Sequence, residues 1–350
     1  MYDDFSNIDR VPIEYILYGQ FIKYNKLEEI VNKEFNNSPV RFVNIFIDAY
    51  QMLLPIYKFY RVENDLSVTS CLINMAIHYR SFFKRYGVDS NIFILYSPTM
   101  SSNNRRFCGE YNSSNIKKMM NNNAVYQIVN NNLSLMGTII PYIPYIYFKI
   151  GTVETTVMAY NIISHLPQEI PCIFVTSSQY AFQLPAICKN TLLFFRKKNK
   201  DEDLSYSVNC SNTLSYFISE TRNHMIDTSS IDQSWVNGFM VLSGIPKRDI
   251  KSLCTYKQSL KILDEISSSY KVIESEILYD VIFKTTTRNI DYSTIVNRFN
   301  CIDLLYQHKM YQTLPESKDV SYLKKYVDMN ALNDINEKYF KYNPISLDRL

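Results

Sequence analysis

Side chains able to do polar chemistry are plentiful in this chain, but few stand at spacings that make a site. The seven cysteines, at positions 71, 108, 172, 188, 210, 254 and 301, include no CxxC pair and no zinc-knuckle spacing. An odd count without a framework reads as reduced thiols in a cytoplasmic compartment. His78, His165, His224 and His308 have no Cys or His partner at ligand spacing and read as surface or satisfied core residues. No serine sits in a nucleophile elbow, and no P-loop or GxGxxG fingerprint occurs. Two carboxylates stand out by position: Asp48 closes an apolar run and Glu154 opens a helical one. As plain structure, Asp48 would cap a strand end and Glu154 would be a first-turn carboxylate favoured by the helix dipole. Lys117, Lys118, Lys247, Arg248, Lys251 and Lys257 could meet a phosphate backbone, or else form a solvated face.

The elements that would position these residues follow from periodicity. Val43 to Ile47 is a short apolar run ending at Asp48, as a buried parallel strand reads. Ser67 to Arg85 carries Leu72, Met75, Ala76 and Tyr79 at helical spacing, and Asn91 to Tyr96 is the next strand. Such a strand–helix–strand unit is the crossover of a parallel sheet. Ser101 to Asn132 is polar and Asn-rich and reads as a mobile loop or insertion. Order returns at Ile143 to Ile150, with a helix from Val153 to His165 and a strand from Cys172 to Val175. Leu192 to Arg196 and Leu204 to Val208 flank a charged turn and read as a β-hairpin on the far side. Helices are expected at Gln233 to Leu242, Tyr256 to Ser268, Ser275 to Phe283 and Val320 to Tyr339. An α/β part followed by a helical part is the implied class.

Composition bounds the rest. The 350 residues, 46% of them hydrophobic, exclude a disordered chain. A net charge of +3 leaves a local basic surface to decide whether nucleic acid binds. Scarce glycine with abundant Asn, Ile, Tyr and Lys reflects AT-rich codons, as in a phage, a virus or an AT-rich bacterium. Met1 to Asp4 lack the basic start of a signal peptide. The most apolar run, Leu135 to Ile150, is broken by Pro141, Pro144 and Lys149 and falls short of the ~20 residues of a membrane helix. A soluble, cytoplasmic protein without membrane partners is expected.

From about residue 42 to about 266 the order of segments resembles the flap-endonuclease and polymerase-associated 5′-nuclease (PIN-like) family, nearest its phage or viral type. Ile45-Phe46-Ile47-Asp48-Ala49-Tyr50 is similar to the family's first strand with its metal-binding Asp. Where the second strand should end in Asp, this chain has Ser97. Arg105-Arg106-Phe107-Cys108-Gly109-Glu110-Tyr111 resembles the basic segment leading into the arch, with Asn112 and Asn115 in place of the expected Lys and Arg. The acidic helix keeps Glu154 but carries Thr156 and Val157 at its Asp positions. The third strand's frame keeps Gln183-Leu184, with Ser178 and Tyr180 at the two Asp places. Phe239 to Gly244, Ile250 and the helix from Tyr256 to Leu263 outline the helix–three-turn–helix motif, where Ile245 and Arg248 fall on its acidic positions.

The resemblance implies a PIN/5′-nuclease-like parallel sheet flanked by helices, followed by a helical helix–three-turn–helix-like region. It also implies a division into an N-terminal extension (1–41), a nuclease-like domain (42–225) and a helical domain (226–350). The family's cleavage is implied to use two divalent cations, which need a dense set of hard oxygen ligands. Only Asp48 and Glu154 remain here, enough for at most one weakly bound Mg²⁺ or Mn²⁺ and no other cofactor. The expectation is a non-cleaving nuclease fold that binds DNA through Arg105, Arg106, Lys117, Lys118, Lys247, Arg248, Lys251 and Lys257, or that joins a viral, replication or transcription complex. The alternatives are an assembly subunit using the old substrate face, and a residual metal-dependent nuclease. Residues 285 to 350 match no segment of the family.

Overall fold

A computed structural model describes residues 41–49, 65–97, 102–111, 113, 117, 123–198, 203–222, 228, 231–271, 273–285, 290–318, 329–339 and 345. One six-stranded sheet organises them, built from β1 (Phe42–Asp48), β2 (Asp89–Tyr96), β3 (Ile146–Ile150), β4 (Cys172–Thr176), β5 (Thr191–Lys198) and β6 (Asp203–Val208). Their order across the sheet is β3-β2-β1-β4-β5-β6, parallel throughout except for the antiparallel β6 at one edge. The chain leaves β1 toward β2 and β3, then returns to place β4 on the other side of β1. That reversal makes the carboxyl ends of β1 and β4 the switch point, the place at which parallel α/β sheets form a ligand crevice.

Both faces of the sheet are covered, so its central strands are apolar on alternate residues twice over. Val43, Ile45, Ile47, Ile92, Ile94 and Ile173 point to one side, against α1 (Asp65–Arg85) and α3 (Asn123–Ile139). Phe46, Phe93, Leu95 and Phe174 point to the other. There they share one core with α4 (Thr155–Ile163), α5 (Gln183–Ile187), α6 (Thr213–Arg222), α7 (Val236–Ser243), α8 (Tyr256–Ser269), α9 (Ser275–Thr285), α10 (Tyr292–Ile302) and α11 (Leu304–Tyr311). Buried rings bind the helical part to the sheet: Phe182 lies 4.8 Å from Phe195 and 5.6 Å from Phe217, which lies 6.1 Å from Phe239. Each fully buried phenylalanine contributes roughly 1.5–3 kcal/mol.

One sequence expectation needs revision, and two further regions gain a place in the packed core. The presumed loop from Ser101 to Asn132 contains α2 (Ser102–Phe107) and the start of α3. Its asparagines hide the pattern, yet Leu133, Met136 and Ile139 are buried, and buried Asn132 accepts a hydrogen bond from Thr69 on α1. The hairpin expected from Leu192 to Val208 is present as β5–β6, and it continues the main sheet through pairing of β4 with β5. The chain beyond 285 belongs to the same core. Gln183, just after β4, donates to Ile302 O at 3.0 Å and accepts from Leu304 N at 3.1 Å, clamping the junction of α10 and α11. Of the C-terminal helix expected from Val320, Met329–Tyr339 is present; its onset, like residues 1–40, lies outside the described residues.

Candidate functional site

Asp48 is the last residue of β1 and sits at this switch point, only 3% exposed. Its Oδ2 accepts from Thr155 Oγ1 at 3.0 Å and Thr176 Oγ1 at 3.1 Å, one donor from α4 and one from the end of β4. Neutral hydroxyls cannot replace the water Asp48 has lost. Burial therefore lifts its pKa from the ordinary 3.8 to about 6; the charge of Glu154 adds to the rise, and Thr155, Arg248 and Thr176 oppose it.

Glu154 is the N-cap of α4, although its side chain does not cap the helix. Both of its oxygens are taken elsewhere. Tyr111 donates to Oε1 at 2.7 Å, and Arg248 Nη2 donates to Oε2 at 3.0 Å. Burial raises the Tyr111 pKa well above the ordinary phenol value, so its hydroxyl keeps the proton it donates. Arg248 also reaches Ser178 Oγ at 2.9 Å. With side-chain exposures of 9% and 5%, Arg248 and Glu154 form a buried ion pair, which pulling out either partner would destabilise by about 3–5 kcal/mol.

The turn that carries Arg248 is built for that direction. Ile245 and Ile250 bridge each other across the 3₁₀ turn Pro246–Arg248. Gly244 opens it at φ +78°, where a Cβ would lie 2.3 Å from Ile250 O, so only glycine fits. Asp249 closes it in the left-handed region at φ 59°. Ser252 to Thr255 lead into α8: Thr255 and Gln258 form a reciprocal capping box at its start, and Leu253 N and Cys254 N donate to Leu242 O.

The other positions expected to be degenerate carboxylate sites gather around this centre without adding charge. Ser97 and Thr156 are buried, and their hydroxyls find no partner among the described residues. Val157 and Ile245 are fully buried core residues. Tyr180 is fully buried with its hydroxyl toward Asn104, and burial raises its pKa well above the ordinary value. Among the described residues no group of three or more His, Cys, Asp or Glu could hold a metal ion. The donor set does not fit the pair of divalent cations the resemblance implies: one carboxylate is satisfied by a phenol and a guanidinium, and the other accepts two hydroxyls. Sequence reading missed Tyr111, Thr155 and Thr176 as partners of the two acids, because nothing local marks a hydroxyl that points at a distant carboxylate.

The expected basic residues divide. Arg106 and Lys117 are exposed, and Arg105 shares α2 with Arg106. Lys118 lies outside the described residues. Arg248 is turned inward, whereas Lys247 is exposed, bound to Glu220 Oε1 at 2.6 Å, with its Nζ 5.4 Å from the Phe195 ring centroid. Lys251 and Lys257 are exposed, and Lys261, one turn beyond Lys257 on α8, joins them. That lysine was findable from its i, i+4 spacing.

No family model matches this chain, and no curated protein matches it at the level of sequence. Solved structures do. The fold is that of a 5′-nuclease, a mostly parallel sheet flanked by helices with a helical C-terminal region. One similar structure is the bacteriophage T5 flap endonuclease as a pseudo-enzyme–product complex with DNA and metal ions. It is 11% identical, with a TM-score of 0.50, over 86% of this chain and 99% of that one. Another is the T5 5′-exonuclease with bound zinc, again 11% identical, with a TM-score of 0.50, over 86% and 99% of the two chains. At this identity the likeness is one of fold. Among the described residues no helix is long and apolar enough to cross a membrane.

Proposed function

We propose that this protein is a 5′-nuclease fold whose catalytic centre has become a buried ion-pair cluster, and that it serves nucleic-acid metabolism by binding DNA without cutting it. The observation that carries the reading is Arg248. Its guanidinium is bonded to Glu154 and Ser178 at the switch point, so the positive charge there comes from the chain itself. A metal pair would need carboxylates where Ser97, Thr156, Ser178 and Tyr180 stand, and it would meet a fixed cation. DNA binding is supported by exposed Lys251, Lys257 and Lys261 around the start of α8, and by the DNA held in the similar T5 complex.

The test is a titration of labelled duplex, flap and single-stranded DNA, with and without Mn²⁺, at low and moderate salt. Salt-sensitive binding with no cleavage is expected, the log-affinity slope following the number of phosphates neutralised. Mn²⁺-dependent cleavage would overturn the reading and make Asp48 and Glu154 the residues to mutate.

A second reading, a subunit that uses its surface for protein assembly, is favoured by one feature. Phe283 is 68% exposed on α9, stacked 6.2 Å from Tyr279, which in turn meets Tyr292 at 5.0 Å. Absence of DNA binding at low salt, together with a stoichiometric protein partner on purification, would decide for it.

A further inference from the structure

Two thiols far apart in sequence are brought together beside the buried centre. Cys108 follows α2, and Cys301 lies in the last turn of α10. One asparagine ties their backbones: Asn104 O accepts from Cys108 N at 3.1 Å, and Asn104 Nδ2 donates to Cys301 O at 2.6 Å. On the neighbouring turns, Phe107 packs edge-on against Tyr306 with centroids 5.5 Å apart. Inside this bracket the two thiols are hydrogen-bonded to each other. Cys301 is fully buried, while Cys108 is half-buried and reachable from solvent.

Their surroundings distinguish attacker from resolver. The hydrogen bond from Cys301 draws the Cys108 pKa down from 9.0 to about 6, against the effect of burial, and Arg298 adds to the fall while the charge of Glu110 opposes it. The same hydrogen bond, then burial, pushes Cys301 up. Arg298 is one turn before Cys301 on α10, so cation and thiol share a face, and it is anchored by donation to Lys251 O. A half-exposed thiolate beside a guanidinium, with a second thiol in contact, is the arrangement of a redox-sensitive pair.

We propose that Cys108 and Cys301 form a reversible intramolecular disulfide by exchange with a low-molecular-weight disulfide such as oxidised glutathione. The Cys108 thiolate attacks one glutathione sulfur, the S–S bond breaks, and one glutathione thiolate leaves. Cys301 then loses its proton to solvent and attacks the Cys108 sulfur, expelling the second glutathione thiolate. The protein dithiol is oxidised, one glutathione disulfide is reduced to two glutathiones, and no other reactant is needed. Closure needs the sulfurs to approach from hydrogen-bond contact to a bond of about 2.05 Å. The link would staple α2 to α10. Because α2 leads within a few residues to Tyr111, the donor to Glu154, the staple would also fix one wall of the ion-pair centre.

The experiment treats the reduced full-length chain with oxidised glutathione and maps its cysteines by non-reducing peptide mass spectrometry. A Cys108–Cys301 peptide, reversed by dithiothreitol and accompanied by a higher Tm, is expected. Cys108→Ser should remove both, whereas Cys301→Ser should leave a stable glutathione adduct on Cys108. A persistent glutathione adduct on Cys108 of the unmutated chain, or random linkage among all the cysteines, would overturn the proposal. Alkylation of the unmutated chain gives a readout that needs no variant. Cys108 should react about tenfold faster than half-exposed Cys210 at pH 5.5. Equal rates there would also overturn it.

Discussion

The switch point at the ends of β1 and β4 and the surface around the start of α8 have treated their charges in opposite ways. At the switch point Asp48, Glu154 and Arg248 are each less than a tenth exposed, and the hydrogen bonds of Glu154 and Arg248 close on protein groups. At α8, Lys251, Lys257 and Lys261 stand in solvent, and the helix is started by a capping box that leaves them outward. The first arrangement holds structure together, and the second is available to a partner. Within one fold, the charges at the switch point are buried among protein groups, while those at the proposed place for gripping a backbone are open to solvent.

The sharpest way to break that contrast is to open the switch point. Arg248→Met should cost about 3–5 kcal/mol in urea unfolding, since Glu154 is left charged and buried. The double change with Glu154→Gln should recover most of it. A single-mutant loss under about 1 kcal/mol would mean that water reaches the centre and the pair is not closed.

A smaller effect comes from Asp48. The folded chain holds the Asp48 proton up to about pH 6, whereas the unfolded chain releases it near 3.8. The unfolded state therefore binds fewer protons between those values, and stability falls as pH rises through that window. Asp48→Asn should accordingly stabilise the protein by about 3 kcal/mol above pH 7 and by nothing near pH 3. The two hydroxyls can still donate to the amide oxygen. A mutant less stable than wild type at pH 7 would show that the carboxylate has a favourable counter-charge beyond Arg248.

The smallest effect belongs to the open region. Lys257→Ala with Lys261→Ala should leave unfolding unchanged within about 0.5 kcal/mol. It should lower DNA affinity at low salt and reduce the salt slope by about 2. An unchanged slope would remove α8 from the proposed interface and bring the exposed Phe283 surface forward.

Much of the frame was legible in the chain. Short apolar runs ending at Asp48, Tyr96 and Val175 named three parallel strands, and the 3.6-residue pattern of Leu72, Ala76 and Tyr79 named α1. These are short-range regularities that a parallel sheet imposes on every strand it buries. What stayed hidden was helical order under an asparagine-rich composition, where Asn132 acts as a buried anchor. Hidden too was the place of α10 and α11, whose junction is held by the amides of Gln183 and Asn104 from more than a hundred residues away.

The deepest division runs through the centre itself. From sequence alone, the chain determines that only two of the expected carboxylates are present and that Arg248 stands near the rest of the motif. Tertiary structure alone decides that Arg248 meets Glu154, 94 residues away, that Tyr111 takes the other oxygen, and that Cys108 finds Cys301. Local pattern reports how each segment buries its own face. Which charge is neutralised by which partner depends on where the folded sheet excludes water, and that is a property of the whole packed molecule.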